Sequence, residues 1–238
     1  MQTRSISYEF DGLEYIGHLA VPDGEGKRPA ILVSHEGGGF DEHARDTADR
    51  LASELGYVAF ALDYYGGAAP LVGGEAMARI GALMQAPDRL RALANAGLSQ
   101  LLAEERADAD RVGAIGFCFG GTLSLELGRS GADVKAIVGF HSGLSNPSPG
   151  DEGNFVGKVV VCVGDADPLI PTDQRAAFEA EMRATTVDWQ LHLFGGVGHS
   201  FTNPAADGTR MAAIKYHGPS ATRSWKIMVD LFAETFDS

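Results

Sequence analysis

The sequence predicts a single α/β domain over residues 1–238: a mostly parallel central sheet with helices on both faces and an antiparallel hairpin at the N-terminal end. Three observations lead there. Short, nearly continuous apolar runs such as Ala30-Ile31-Leu32-Val33 and Val159-Val160-Val161-Cys162-Val163 read as strands buried on both faces. They alternate with longer segments of helical periodicity, the order of a parallel sheet with crossover helices. Two segments of alternating polar and apolar residues flank Asp11-Gly12, a dipeptide favoured in tight hairpins.

Composition narrows the function. At 238 residues the chain can bury one sizeable core, and 19 Lys+Arg against 32 Asp+Glu give a net charge of −13 with no basic run. Nucleic acid and anionic membrane surfaces are therefore poor partners, and no stretch reaches the length of a membrane span. The two cysteines, Cys118 and Cys162, lie in apolar strand-like settings without metal-ligand spacing, so neither a disulfide framework nor a metal centre is expected. The first ten residues alternate and lack the apolar core of a signal peptide. The expectation is a cytoplasmic protein, monomer or homodimer, acting on a small molecule without a cofactor.

In chain order, residues 5–21 form the hairpin. Residues 29–34 are the first buried strand, which ends at His35-Glu36-Gly37-Gly38-Gly39. Ligands in open α/β sheets gather at such carboxyl ends, and the glycines leave backbone N–H groups free to face one. His35-Glu36 is not a zinc-protease motif, because Gly39 stands where its second histidine belongs. Residues 41–55 read as a helix and 56–63 as the next strand. Tyr64 and Tyr65 follow at the same end and can line a pocket or cap the core.

A helical region from about 74 to 105 is interrupted at Pro87 and carries Arg79 and Arg91, either able to grip a carboxylate or to lie on an exposed helix face. Strand 134–140 closes in His141, a candidate pocket residue. A Pro/Ser/Gly/Asn-rich loop spans 145–154, and strand 158–163 leads to Asp165 and Asp167. Helix 172–184 and strand 188–194 precede a glycine-rich loop holding His199, Ser200 and Phe201. An amphipathic helix from 219 closes the chain.

The centre of this plan is Gly116-Phe117-Cys118-Phe119-Gly120-Gly121, between the apolar run 111–115 and a helical segment. Strand, sharp turn and helix form the nucleophile elbow of the α/β-hydrolase fold, with cysteine in place of serine. Small residues two positions either side are required where strand and helix crowd together, and the turn sets Cys118 at a helix N-terminus, where a thiolate is favoured. Chain order then supplies Asp165 or Asp167 as acid and His199 as base. The N–H groups of Gly37 and Phe119 are the expected oxyanion donors. Together these residues describe acyl transfer through a thioester intermediate.

The motifs just quoted, together with Asp167-Pro168-Leu169-Ile170-Pro171 and Gly198-His199-Ser200-Phe201, resemble the dienelactone hydrolase family over essentially the whole chain. The resemblance implies hydrolysis of a small ester or lactone, and it implies Asp167 rather than Asp165 as the acid. It also implies that Glu36 pairs with the resting thiol and takes its proton when substrate binds. Phe201, within the histidine motif, joins Tyr64, Tyr65 and His141 as a candidate pocket residue. Arginines holding a substrate carboxylate are implied too, yet Thr202-Asn203-Pro204 follows Phe201 and no arginine occurs until Arg210.

Overall fold

The computed structural model describes residues 1–71 and 74–237. Eight strands form one sheet: β1 (Gln2–Phe10), β2 (Leu13–Val21), β3 (Arg28–Ser34), β4 (Val58–Leu62), β5 (Ala107–Phe117), β6 (Ala136–Phe140), β7 (Lys158–Gly164) and β8 (Trp189–Phe194). Their spatial order is β1-β2-β4-β3-β5-β6-β7-β8. The hairpin β1–β2 is antiparallel and β2 joins β4 antiparallel; every other pairing is parallel.

Helices cover both faces, as the doubly buried strands require. On one side α1 (Glu42–Leu55) and α6 (Gly218–Phe236) pack Leu51, Met228 and Phe232 onto Ile31, Val33, Ile115 and Val138. On the other, α2 (Glu75–Met84), α3 (Pro87–Leu102), α4 (Phe119–Arg129) and α5 (Thr172–Arg183) cover Leu32, Phe60, Ala114 and Val161. Alternate residues of one strand thus serve opposite cores.

Local rules account for the boundaries. The Asp41 side chain accepts a hydrogen bond from the Ala44 N–H and caps α1, and Gly56 ends that helix in the left-handed region. Pro87 sits at the first position of α3, where its missing N–H is no loss, so the long helical region divides there. Strand β5 starts earlier than its apolar run suggests. Its first residues, Ala107 and Asp108, pair with Arg28 and Pro29, and the register shifts before Ala30. No helix among the described residues is long and apolar enough to cross a membrane.

Candidate active site

Cys118 links β5 to α4 with φ 53° and ψ −120°, a conformation that L residues rarely adopt. The surroundings hold it there. Its N–H donates to the Phe140 carbonyl at 3.0 Å, and its own carbonyl accepts from the Gly121 and Gly143 N–H groups at 3.1 and 3.3 Å. The elbow glycines are required by space: a Cβ on Gly116 would lie 2.1 Å from the Gly120 oxygen, and one on Gly120 would lie 2.2 Å from the His35 oxygen. Strand β3, strand β5 and helix α4 therefore meet backbone to backbone.

His199 and Asp167 come together from the loops after β8 and β7. The His199 Nδ1 is 2.6 Å from the Asp167 Oδ2, with both residues buried. Asp167 is further held by the Leu169 N–H, which donates to its Oδ1 at 2.8 Å. Asp165, the other aspartate after β7, is half exposed and faces Arg175 at 3.6 Å. Burial alone would push the His199 imidazole down. The negative charge available at Cys118 and the bond to Asp167 outweigh it and push the group up to about 10. The remaining nitrogen, Nε2, is buried and has no well-formed hydrogen bond within the protein.

The loop after β3 supplies the opposite wall. Phe119 opens α4, so its N–H is one of the donors a helix leaves unpaired. A Cβ on Gly37 would come within 2.7 Å of the Ile80 Cδ1 and 3.4 Å of the Phe119 Cβ, which places Ile80 of α2 and Phe119 against this loop. Tyr64 clamps it from behind: its hydroxyl donates to the His35 carbonyl at 2.9 Å, and its ring stacks on His35 at 3.8 Å. Arg210 reaches the same loop, its Nη1 4.0 Å from where a Gly38 Cβ would stand.

Glu36 lies in a cradle that its neighbours in sequence do not build. The Ser200 hydroxyl donates to its Oε2 at 3.0 Å and the Asn203 Nδ2 lies 3.5 Å from its Oε1. His43 Nδ1 and His141 Nε2 each stand 3.9 Å from Oε1. Burial raises the Glu36 carboxyl above the usual carboxylate range, burial pushes His43 down to about 4, and burial holds His141 well below its ordinary value. Of the five non-glycine residues with positive φ among the described residues, Cys118, His141 and Ser200 all belong to this region. Such clustering is typical of functional sites.

The remaining candidates divide. His141 is fully buried, meets the Thr202 hydroxyl at 2.8 Å and packs edge-on to His199 at 5.0 Å, so it backs the site rather than borders an opening. Phe201 is fully buried between His141 and Phe194, a packing position. Tyr65 is buried, and Arg79 donates to its carbonyl at 2.9 Å. Arg91 is committed to Glu126 and Asp151. Sequence reasoning missed His43, Ser200 and Asn203. The one local signal was the position of Ser200 beside His199.

The model of the dienelactone hydrolase family matches residues 16–236. A solved structure named m3DLH is 43% identical with a TM-score of 0.95, covering 99% of this chain and 98% of its own. A dienelactone hydrolase-like promiscuous phosphotriesterase from metagenomic libraries is 36% identical with a TM-score of 0.94, covering 98% of each chain. A Bradyrhizobium protein named "probable 2-oxo-3-(5-oxofuran-2-ylidene)propanoate lactonase" is 28% identical over 90% of this chain and 92% of its own.

Proposed function

The chain belongs to the dienelactone hydrolase family, and from that premise we propose that it is a cysteine-dependent hydrolase of small carboxylic esters or lactones. The observation that carries this reading is the 2.6 Å contact between His199 and Asp167, in loops that flank a strained cysteine elbow. Asp167 holds the imidazole tautomer, and His199 supports ionisation of Cys118. The thiolate attacks the carbonyl carbon, and the oxyanion that forms receives hydrogen bonds from the Gly37 and Phe119 N–H groups. His199 then gives its proton from Nε2 to the departing alkoxide. Water, activated by the same nitrogen, cleaves the thioester and returns the thiol.

Glu36 acts as the resting partner of the thiol proton, the role the family resemblance implies, and its raised affinity for a proton suits that role. Esters and lactones are favoured over amides because a thiolate leaves more readily than an unprotonated amine. Acyl thioesters offer the same carbonyl and are the nearest alternative substrates. A phosphotriesterase side activity has one specific support, the similarity to the promiscuous phosphotriesterase. A non-catalytic ligand-binding role is the remaining alternative.

Hydrolysis of an aryl acetate, a dienelactone, an acyl thioester and an aryl phosphotriester by the native protein and by Cys118→Ala tests the reading. Turnover of at least one carboxylic ester or lactone that falls by about 10³-fold or more in the variant is the expected result. Equal activity of the two proteins removes Cys118 from the mechanism. Inactivity of both favours the binding role.

A further inference from the structure

His35 directly follows β3, has no exposed surface, and takes no part in the chemistry derived for Cys118, Asp167 and His199. A buried imidazole is costly unless its nitrogens find partners. Nδ1 lies 2.6 Å from the Glu36 carbonyl oxygen. A carbonyl can only accept, so Nδ1 carries a proton and donates it. Nε2 faces Asp63 Oδ1 at 3.8 Å, within electrostatic range but too far for a hydrogen bond. Asp63 is itself fixed, since the Tyr65 and Gly66 N–H groups donate to Oδ1 at 2.9 and 3.0 Å and the Ala68 N–H donates to Oδ2 at 2.8 Å. Burial would push the Asp63 carboxyl up; the His35 imidazole and the Tyr65 and Ala68 N–H groups bring it below its usual value instead. Tyr64 stacks on the imidazole at 3.8 Å and 7°, and the rings of Tyr65 and Phe40 close it in at 5.3 and 5.8 Å. The ring is held on its faces and at its edge.

What this ring holds in turn is one peptide plane. Three donors surround the Glu36 carbonyl oxygen, and His35 Nδ1 is the nearest of them. The Gly39 N–H donates to it at 3.2 Å, and the Tyr64 hydroxyl, bonded at 2.9 Å to the His35 carbonyl, also lies 3.2 Å away. A carbonyl so surrounded has little freedom of direction. The peptide is trans and planar, so its C=O and N–H point opposite ways. Fixing the Glu36 oxygen therefore fixes the Gly37 N–H, which donates to no backbone carbonyl among the described residues. A hydrogen bond accepted at the oxygen also draws charge through the amide and strengthens its N–H as a donor.

We propose that His35 is a positioning residue for the oxyanion: its Nδ1–H orients and polarises the Glu36–Gly37 peptide, so that the Gly37 N–H meets the charge that develops on the substrate oxygen. Gly37 serves here as the oxyanion donor proposed above, and the role of His35 rests on that reading. With no exposed surface, His35 touches neither substrate nor solvent and moves no proton. Its effect is confined to the tetrahedral state, where the oxygen carries charge, so it acts on kcat and leaves KM nearly unchanged.

Two substitutions separate the hydrogen bond from the packing. His35→Phe keeps a ring against Tyr64 and removes the donor, whereas His35→Asn gives up the ring and offers an amide N–H near the place of Nδ1. In steady-state kinetics on the best ester, His35→Phe should lower kcat by about 10–10²-fold with KM changed by less than about threefold. The loss stays below that of deleting an oxyanion donor outright, because Gly39 and Tyr64 still hold the carbonyl. His35→Asn should recover most of it. A packing role gives the reverse order, since asparagine loses the stack on Tyr64. The proposal is overturned by a kcat in His35→Phe within about threefold of native, by His35→Asn no faster than His35→Phe, or by a change confined to KM. Imidazole 15N spectra of the native protein add a readout that needs neither variant to fold. His35 Nδ1 should appear protonated there, and an unprotonated Nδ1 overturns the proposal. If the native protein hydrolyses no ester, the hydrolase reading fails and takes the kinetic role with it, while the 15N spectrum still decides whether His35 holds the peptide.

Discussion

Cys118 and Cys162 carry the same side chain and receive different chemistry from their surroundings. Cys162 lies inside β7, and burial pushes its thiol up to about 12, which leaves it an inert packing group. Cys118 is only partly buried, caps the N-terminus of α4 and lies close enough to His199 for its charge to be felt there. The partner of that histidine is the more sensitive position. Asp167→Asn keeps the shape but offers an amide where a carboxylate accepts from Nδ1, so kcat for the best ester should fall by about 10³–10⁴-fold. Steady-state kinetics check this, and a fall below tenfold would show that the carboxylate does not orient the base. Spacing and chain order made Cys118 and His199 candidates in the sequence. Two aspartates within three positions were not separable by their local sequence, because burial and partner distinguish them: Asp167 faces His199 while Asp165 faces solvent and Arg175.

Among the elements, α4 carries the heaviest demands. Its N-terminus must approach β3 without side chains. Gly120→Ala would set a Cβ 2.2 Å from the His35 oxygen and 2.4 Å from the Ser34 oxygen, both backbone atoms that cannot rotate away. A loss of about 3 kcal/mol or more, or failure to accumulate folded protein, is the expected outcome of a urea titration. Farther along, the fully buried Glu126 accepts from Arg129 at 2.7 Å and from Arg91 at 2.8 Å, while Arg129 meets Glu181 of α5. This network ties α3, α4 and α5 to each other. Glu126→Ala takes one of two carboxylates from each arginine, Arg91 keeping Asp151 and the fully buried Arg129 keeping Glu181, and should cost about 1–3 kcal/mol in the same titration. Helix periodicity forecast α4 but not this network, since its members lie on three helices and pairing depends on how those helices pack. Arg91 illustrates the point. On sequence it was a candidate carboxylate grip, and in the fold its carboxylates are the protein's own.

For the molecule as a whole, the buried histidines set a dependence of stability on pH. His43 has its pKa depressed from 6.5 to about 4 in the folded chain, so between those values the unfolded chain binds the extra proton and the folded one does not. Stability is therefore fully present above about pH 6.5 and is lost as pH falls toward 4, by an amount on the order of 1–3 kcal/mol for this residue. His141 acts in the same direction, whereas Glu36, with its pKa raised, contributes in the opposite one as pH rises above 4.5. Comparing the urea midpoints of the native protein and His43→Gln across pH 4–7 isolates the His43 share. The gap between the two should widen in favour of the variant as pH falls, and a constant gap would show that His43 titrates normally. The sheet, its helical covers and the strand–turn–helix around Cys118 were readable from the chain, because each rests on local periodicity or on small residues at close approaches, and chain order proposed Cys118, an aspartate and His199 as the site. The cradle around Glu36 and the clamp of Tyr64 on the loop after β3 came from packing, and the 2.6 Å contact with His199 fell to Asp167, the aspartate that the family resemblance implied. Ser200 and Glu36 are separated by 164 positions yet share a hydrogen bond. Desolvation and pairing are set by distances between remote elements, and no local pattern of residues encodes them.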